Sequence, residues 1–258
     1  MKKLFILYIL FSILTGCSTQ QPPIEKHQFD VTNKGSKPIK NVNYRTSQTD
    51  SSQPSAPSIK NKIILDVPLI PQKPELKYGC EVTSLAMVLQ YAGIKVNKMQ
   101  LANSVKKDPT PISIGKNGDI IQWGDPQKGF VGDITGKRKG YAVYAGPLQE
   151  LMEYYLPHRT VNLTGKTFND VLAQIKIGRP VVVWTTGDYK LPDRWESWKH
   201  GNKQIKTPLD LHAVVLIGFE DEHVYINDPL TAKKAHKVNK KTFIQSWEAL
   251  RKQALSYR

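Results

Sequence analysis

Residues 71–93 read PQKPELKYGCEVTSLAMVLQYAG, and the reading of the whole chain turns on them. Pro71 and Pro74 keep the first part extended, and Gly79 ends it. Val82, Leu85, Ala86 and Leu89 then recur at helical spacing. That spacing predicts an amphipathic helix starting at or just after Cys80, with one buried stripe. Cys80 is thereby placed at a helix N-terminus, where unpaired backbone N–H groups and the macrodipole favour negative charge. A thiol there is expected to ionise more readily and to be a better nucleophile. Small buried cysteines also pack at helix starts without any chemistry, and the helix alone does not separate the two readings.

The other cysteine bears on compartment. Met1, Lys2 and Lys3 make a short basic start, and Leu4 to Leu14 is apolar save for Ser12 and the Tyr8 hydroxyl. The run is too short for a spanning helix and has the form of a secretory signal. It closes on Leu14, Thr15, Gly16 and Cys17, which resembles the lipobox of bacterial lipoproteins. The resemblance implies a signal peptide over residues 1–16, lipid on Cys17, and a location on the extracytoplasmic face of the cell membrane. An ordinary signal peptide that contains a cysteine is the alternative. With Cys17 lipidated, Cys80 is the one free thiol of the mature chain. Exported proteins use cysteines mostly in pairs, so an unpaired one points to chemistry or to intermolecular pairing. A single thiol excludes a cysteine cluster for metal.

Residues 17–62 are rich in Gln, Ser, Thr, Pro, Asn and Lys and poor in large apolar side chains. They read as a disordered, lipid-anchored tether, with a weakly signalled strand near Gln28 to Val31. As a coil the tether would span on the order of 40 Å. Residues 63–258 are then the folded domain, long enough for one sizeable core. The chain carries a net charge of +15, and residues 63–258 hold 28 basic against 19 acidic residues. The excess is spread over many lysines rather than gathered in one block. It suits anionic lipids or anionic wall polymers. No nucleic-acid motif accompanies it, and no nucleic-acid partner is expected.

Within the domain, Ile63 to Pro68 reads as an edge strand stopped by proline. Helices are expected over about 98–107, 147–156, 168–177 and 242–254; Thr167 with Asp170 resembles a capping box. Pro180 to Thr185 is apolar on both faces, as a central strand would be. His212 to Phe219 and His223 to Asn227 flank the polar turn Glu220-Asp221-Glu222 as an antiparallel hairpin, and Ala235 to Val238 suggests a further strand. Two stretches, 109–144 and 187–208, read as long irregular loops. The first is a candidate groove wall; Trp195 and Trp198 in the second are either cleft lining or packing anchors. Helices first, strands later, make an α+β domain.

Hairpin pairing brings the start of one strand beside the end of the next, so His212 falls next to Asp228. Alternation puts Asp228 on the face of Val224 and Ile226, and Asn227 on the face of Tyr225. A lone histidine is commonly an ordinary residue, and Asp before Pro commonly starts a turn. With Cys80 the two make chemical sense: a thiol nucleophile needs a base, and the base needs an orienting partner.

The chain order Cys, His, carboxylate resembles papain-like cysteine peptidases. More closely, Pro71-Gln72, the run from Gly79 to Met87, the run from His212 to Gly218 and Asn227-Asp228-Pro229-Leu230 resemble the blocks of the C39-like peptidase family of exported bacterial proteins. The likeness runs from about Ile63 to the C-terminus. It implies a papain-like α+β fold, a helical N-terminal half with the cysteine helix packed on an antiparallel sheet. It also implies a catalytic triad of Cys80, His212 and Asp228, and an oxyanion hole from Gln72 and the backbone N–H of Cys80. In papain the glutamine lies closer to the cysteine; this chain has a longer, Pro-containing connection. The expected activity is hydrolysis of a peptide or protein substrate through a thioester, with no cofactor. An acyltransferase or transpeptidase on the same site, a silent surface-tethered binding module, and a metal site on the same three residues are the alternatives. The last lacks any closely spaced ligand pair. No P-loop is present, so the transporter-fused role of some C39 relatives is not implied.

Overall fold

A computed structural model describes residues 62–258. The signal segment, Cys17 and the tether up to residue 61 lie outside the described residues. Among those described, no helix is long and apolar enough to cross a membrane.

In chain order the elements are β1 (Ile63–Ile64), α1 (Cys80–Tyr91), α2 (Lys98–Ser104), β2 (Lys107–Asp108), β3 (Ser113–Ile114), β4 (Ile120–Gln122) and β5 (Phe130–Val131). There follow α3 (Ala145–Tyr155), β6 (Thr160–Asn162), α4 (Phe168–Lys176), β7 (Val181–Thr186), β8 (Trp195–His200) and β9 (Lys203–Pro208). The chain closes with β10 (Leu211–Phe219), β11 (His223–Asp228), β12 (Lys233–Asn239), α5 (Lys240–Ala249) and β13 (Ala254–Tyr257).

The main sheet is antiparallel and runs β12-β11-β10-β7-β13-β6, with β1 paired to the far end of β10. Both of its faces are covered. On one, Val182 and Trp184 of β7 and Ala213, Val215 and Ile217 of β10 pack with the apolar stripes of α1, α2 and α3. On the other, Val181, Val183, Val214 and Leu216 pack with α4 and α5 through Phe168, Ile175, Phe243 and Trp247. Strict alternation within β7 and β10 thus serves two cores, which explains why both strands are apolar throughout.

The helices start where side chains satisfy their first N–H groups. Asn97 with Gln100 and Thr167 with Asp170 form reciprocal capping boxes. For α1 the cap is Gly79, with no side-chain hydrogen bond. A methyl group at Gly79 would sit 2.6 Å from Leu76 Cβ, and Leu76 is fully buried. The glycine is therefore required for the close approach of the 71–79 loop to the helix.

Three sequence expectations are corrected. The stretch 109–144 is not wholly irregular, since it carries the short strands Ser113–Ile114, Ile120–Gln122 and Phe130–Val131. The stretch 187–208 is not one loop: Trp195–His200 and Lys203–Pro208 form the β8–β9 hairpin around Gly201, at positive φ. With β3 and β4 the hairpin makes a second sheet, ordered β3-β4-β8-β9, over a small core of Trp123, Val131, Trp198 and Ile205. Trp198 is accordingly a packing anchor, donating its indole N–H to Gly124 O at 2.8 Å, whereas Trp195 is exposed with Lys206 Nζ over its ring. The C-terminal helix also ends sooner, at Ala249, and Ala254–Tyr257 inserts between β7 and β6. Its first half pairs with β7, deep in the sheet.

Gly79→Ala is expected to lower stability by about 1–3 kcal/mol, the usual cost of overpacking. Urea unfolding followed by circular dichroism checks this; an unchanged midpoint would mean that Leu76 yields without cost.

Candidate active site

Three segments converge at one end of the main sheet. β10 delivers His212, β11 delivers Asp228, and α1 lies across β10 and presents Cys80 at its N-terminus. The helix is fixed to the strand near the site: Ser84 Oγ, one turn beyond Cys80, donates to Ala213 O at 3.1 Å. The Ala213 N–H in turn faces the Cys80 sulfur. The thiol therefore lies beside the residue that follows His212.

His212 and Asp228 are both buried and meet directly, Nε2 to Oδ1 at 2.8 Å. The hairpin register puts Val215 opposite Asn227. One step further on, Asp228 lies diagonal to His212 on the face of Val224 and Ile226. Asn227 points to the other face, where its amide donates to Val67 O at 3.0 Å and its carbonyl accepts from Ala235 N–H.

Asp228 is held by more than the imidazole. Leu230 N–H donates to Oδ1 at 2.8 Å, Tyr189 O–H to Oδ2 at 2.8 Å, and Thr231 O–H to Oδ2 at 2.6 Å. Burial works against a charge here. The hydrogen bond and charge of His212, with Thr231 and Tyr189, outweigh it and hold the carboxyl far below the ordinary range. An ionised Asp228 only accepts, so His212 Nε2 is the protonated nitrogen and Nδ1 is free to act as a base. Tyr189 is pushed upward by burial and by its bond to Asp228, and stays a neutral donor.

Cys80 departs from expectation. It is buried, and its Sγ–H donates to Glu81 Oε2 at 3.3 Å. Among the described residues, the thiol makes this side-chain hydrogen bond and none to His212. Burial, and after it the Glu81 carboxylate, push the thiol's ionisation upward. The favourable helix position is thus outweighed in this state.

Gln72 is buried, with its backbone N–H bound to Pro229 O at 2.8 Å, in the loop after Asp228. Its side-chain Nε2 donates one hydrogen to Lys77 O at 3.0 Å and keeps a second. Lys98 Nζ ties the same loop down through Pro71 O, Gln72 O and Glu75. In α1 the first intrahelical bond is Thr83 N–H to Gly79 O, so the Cys80, Glu81 and Val82 N–H groups precede the ladder. Among the described residues, no group of three or more His, Cys, Asp or Glu side chains is placed to hold a metal ion.

The sequence reading missed Tyr189, Thr231 and Glu81. Thr231, three residues after Asp228, is a short turn partner that local spacing offers. Tyr189 lies in a turn at φ 63°, with no periodic signal.

An α+β fold with a cysteine helix packed on an antiparallel sheet, and a buried His–Asp pair at the sheet end, defines the papain-like class. Residues 64–255 match the "Peptidase_C39 like family", and the chain belongs to that family. It is 39% identical over 212 residues to the uncharacterized protein YvpB of Bacillus subtilis (strain 168), covering 81% of this chain and 82% of that one. It also superimposes on the crystal structure of a C39-like protein from Bacillus anthracis, which is described there only as a candidate peptidase. That match has a TM-score of 0.69 and 44% identity, over 76% of this chain and 97% of the other.

Thr231→Val and Tyr189→Phe each remove a hydrogen bond to a buried carboxylate and should cost about 1–3 kcal/mol near pH 7. The folded carboxyl ionises at a lower pH than the unfolded one. Its stabilisation is thus present above about pH 4, the unfolded value, and is lost as pH falls through the folded value. Either variant raises the folded value, so acid unfolding should begin at higher pH. Tryptophan fluorescence against pH reads the shift.

Proposed function

We propose that the protein is a thiol peptidase that cleaves an amide bond through a thioester on Cys80. The observation that carries this reading is the buried His212–Asp228 pair at 2.8 Å, on the strand to which the head of α1 is pinned through Ser84 and Ala213. Family membership agrees with it.

In this reading His212 Nδ1 takes the thiol proton, and Asp228, bonded at Nε2, holds the ring orientation and stabilises its positive charge. The thiolate attacks the acyl carbon. The oxyanion is received by the Cys80 N–H and by the Gln72 amide hydrogen left over from Lys77. His212 passes its proton to the leaving amine, which departs. Water then adds to the thioester with His212 as base, and the acid product leaves the thiol free. We also propose that a lipid on Cys17 and the basic surface keep the enzyme at the extracytoplasmic face of the membrane. Its substrates would be peptides or proteins encountered there, among anionic wall polymers.

Cys80→Ala and His212→Ala should each reduce cleavage of a peptide library by at least about a thousandfold, with circular dichroism spectra unchanged. Asp228→Asn should lower kcat more than it changes KM, since it disturbs the base rather than binding. Mass spectrometry of the products reads all three. Turnover that survives both alanine variants would refute the assignment.

A further inference from the structure

Glu81 is a buried carboxyl beside the thiol that the mechanism above does not use. It is fully buried on the first turn of α1. Its Oε1 accepts Val143 N–H at 3.0 Å, and its Oε2 accepts the Cys80 thiol at 3.3 Å. No lysine, arginine or histidine pairs with it among the described residues. An unpaired buried carboxylate is costly, and fixing Val143 needs only a neutral acceptor such as glutamine. A carboxylate next to a nucleophilic thiol is also opposed to forming the thiolate. A carboxylic acid in the same place has the opposite effect, because it can donate to the sulfur anion.

We infer that Glu81 is a positioning residue that sets the reactivity of Cys80, holding the thiol proton as a carboxylate and stabilising the thiolate as a neutral acid. This rests on the peptidase reading for the identity of the base. The conversion balances simply. A solvent proton adds to Glu81 Oε2, which ceases to accept from sulfur. The thiol proton passes to His212 Nδ1. The new Oε2–H donates to the sulfur anion. The trio of Glu81, Cys80 and His212 goes from a net charge of −1 to zero, which suits a buried site.

The surroundings leave this proton free to move near neutrality. Burial raises the Glu81 carboxyl to about 7. From the segment leading into α3, Tyr141 and Tyr144 lie within electrostatic reach. Their hydroxyls are engaged with Thr207, with Asp210 and Asp125 beyond them and Arg251 over the Tyr144 ring. β7 contributes only Trp184, whose indole N–H binds Val143 O. β10 contributes His212, already bound to Asp228. The charged groups of α2 and α3 have partners elsewhere: Lys98 with Glu75, Glu150 with Lys106, and Glu153 with His158 and Thr160. Among the described residues, no neighbouring cation fixes Glu81 in its charged form.

The test is the rate of iodoacetamide labelling of the full chain between pH 5 and 9, read by mass spectrometry on the peptide that carries Cys80. Cys17 then makes no contribution. The wild-type profile should show a reactive shoulder that fades as pH rises through about 7, followed by the ordinary alkaline rise. Glu81→Gln keeps the acceptor for Val143 and removes the charge. It should abolish the inflection near 7 and raise labelling at pH 8 about tenfold, one pKa unit in the thiol. A variant profile superimposed on wild type would overturn the inference, leaving Glu81 a structural pin for Val143. If the variant does not fold, the wild-type profile decides: a single alkaline rise would overturn the inference as well. His212→Ala separates the two readings. Labelling insensitive to His212 but altered by Glu81→Gln sinks the peptidase reading and keeps the hold of Glu81 on the thiol. The reverse pattern sinks the present inference alone.

Discussion

Everything in this domain hangs on the ladders of β10. The strand pairs with β7 along six residues and with β11 on its other edge, and it is covered by helices on both faces. Residues 212–218 of it are buried, so its register is strongly constrained. A shift by one residue would exchange Val215 for Val214 between two separate cores and would also turn His212 away from Asp228. Packing and site geometry are therefore under the same constraint. The position of the imidazole follows from the burial of the five apolar residues that come after it.

The surroundings of Asp228 show how the fold keeps a charge in such a place. A buried carboxylate is tolerable only when its lone pairs are satisfied. Here four donors from four residues share the two oxygens. Two of them, Leu230 and Thr231, come from the turn that Asp228 itself begins, so part of the binding shell is local. Glu81 is the contrasting case: an equally buried carboxylate with one backbone donor, one weak thiol donor and, among the described residues, no cation. The same chemical group thus sits in two environments that drive its ionisation in opposite directions, within one site.

Much of this was legible in the chain because periodicity reports burial. The apolar run from His212, the polar turn at Glu220–Glu222 and the run ending at Asp228 specify a hairpin, and pairing alone brings His and Asp together. The stripe after Cys80 and the Thr167–Asp170 capping pair specify helices. Where burial is slight or one-sided, the signal fades. β8 and β9 carry lysines, glutamines and exposed aromatics around a core of a few residues, so their alternation reads as loop composition. Ala254–Tyr257 is too short to show a period, and it follows a helix closely. Tyr189 is recruited from a turn by a three-dimensional coincidence. The ionisation of Cys80 is a further case. Helix position is visible in sequence, but the depth of burial and the direction of the Glu81 side chain are not, and desolvation outweighs the dipole.

The connectivity of the main sheet has a consequence for the order in which the molecule can come into being. Cys80 is laid down early, and the bond that seats its helix, Ser84 to Ala213, closes a loop of 129 residues. The strand that fills the space between β7 and β6 comes from residues 254–257, at the far end of the sequence. Contacts so distant along the chain are slow to form, because the entropy of closing the loop is spent before any packing is gained. During synthesis from the N-terminus, Cys80 emerges long before His212 and longer still before the sheet beneath it is complete. Cys80 is made first and the strands that carry His212 and Asp228 late, so a partial chain holds the thiol without either of them.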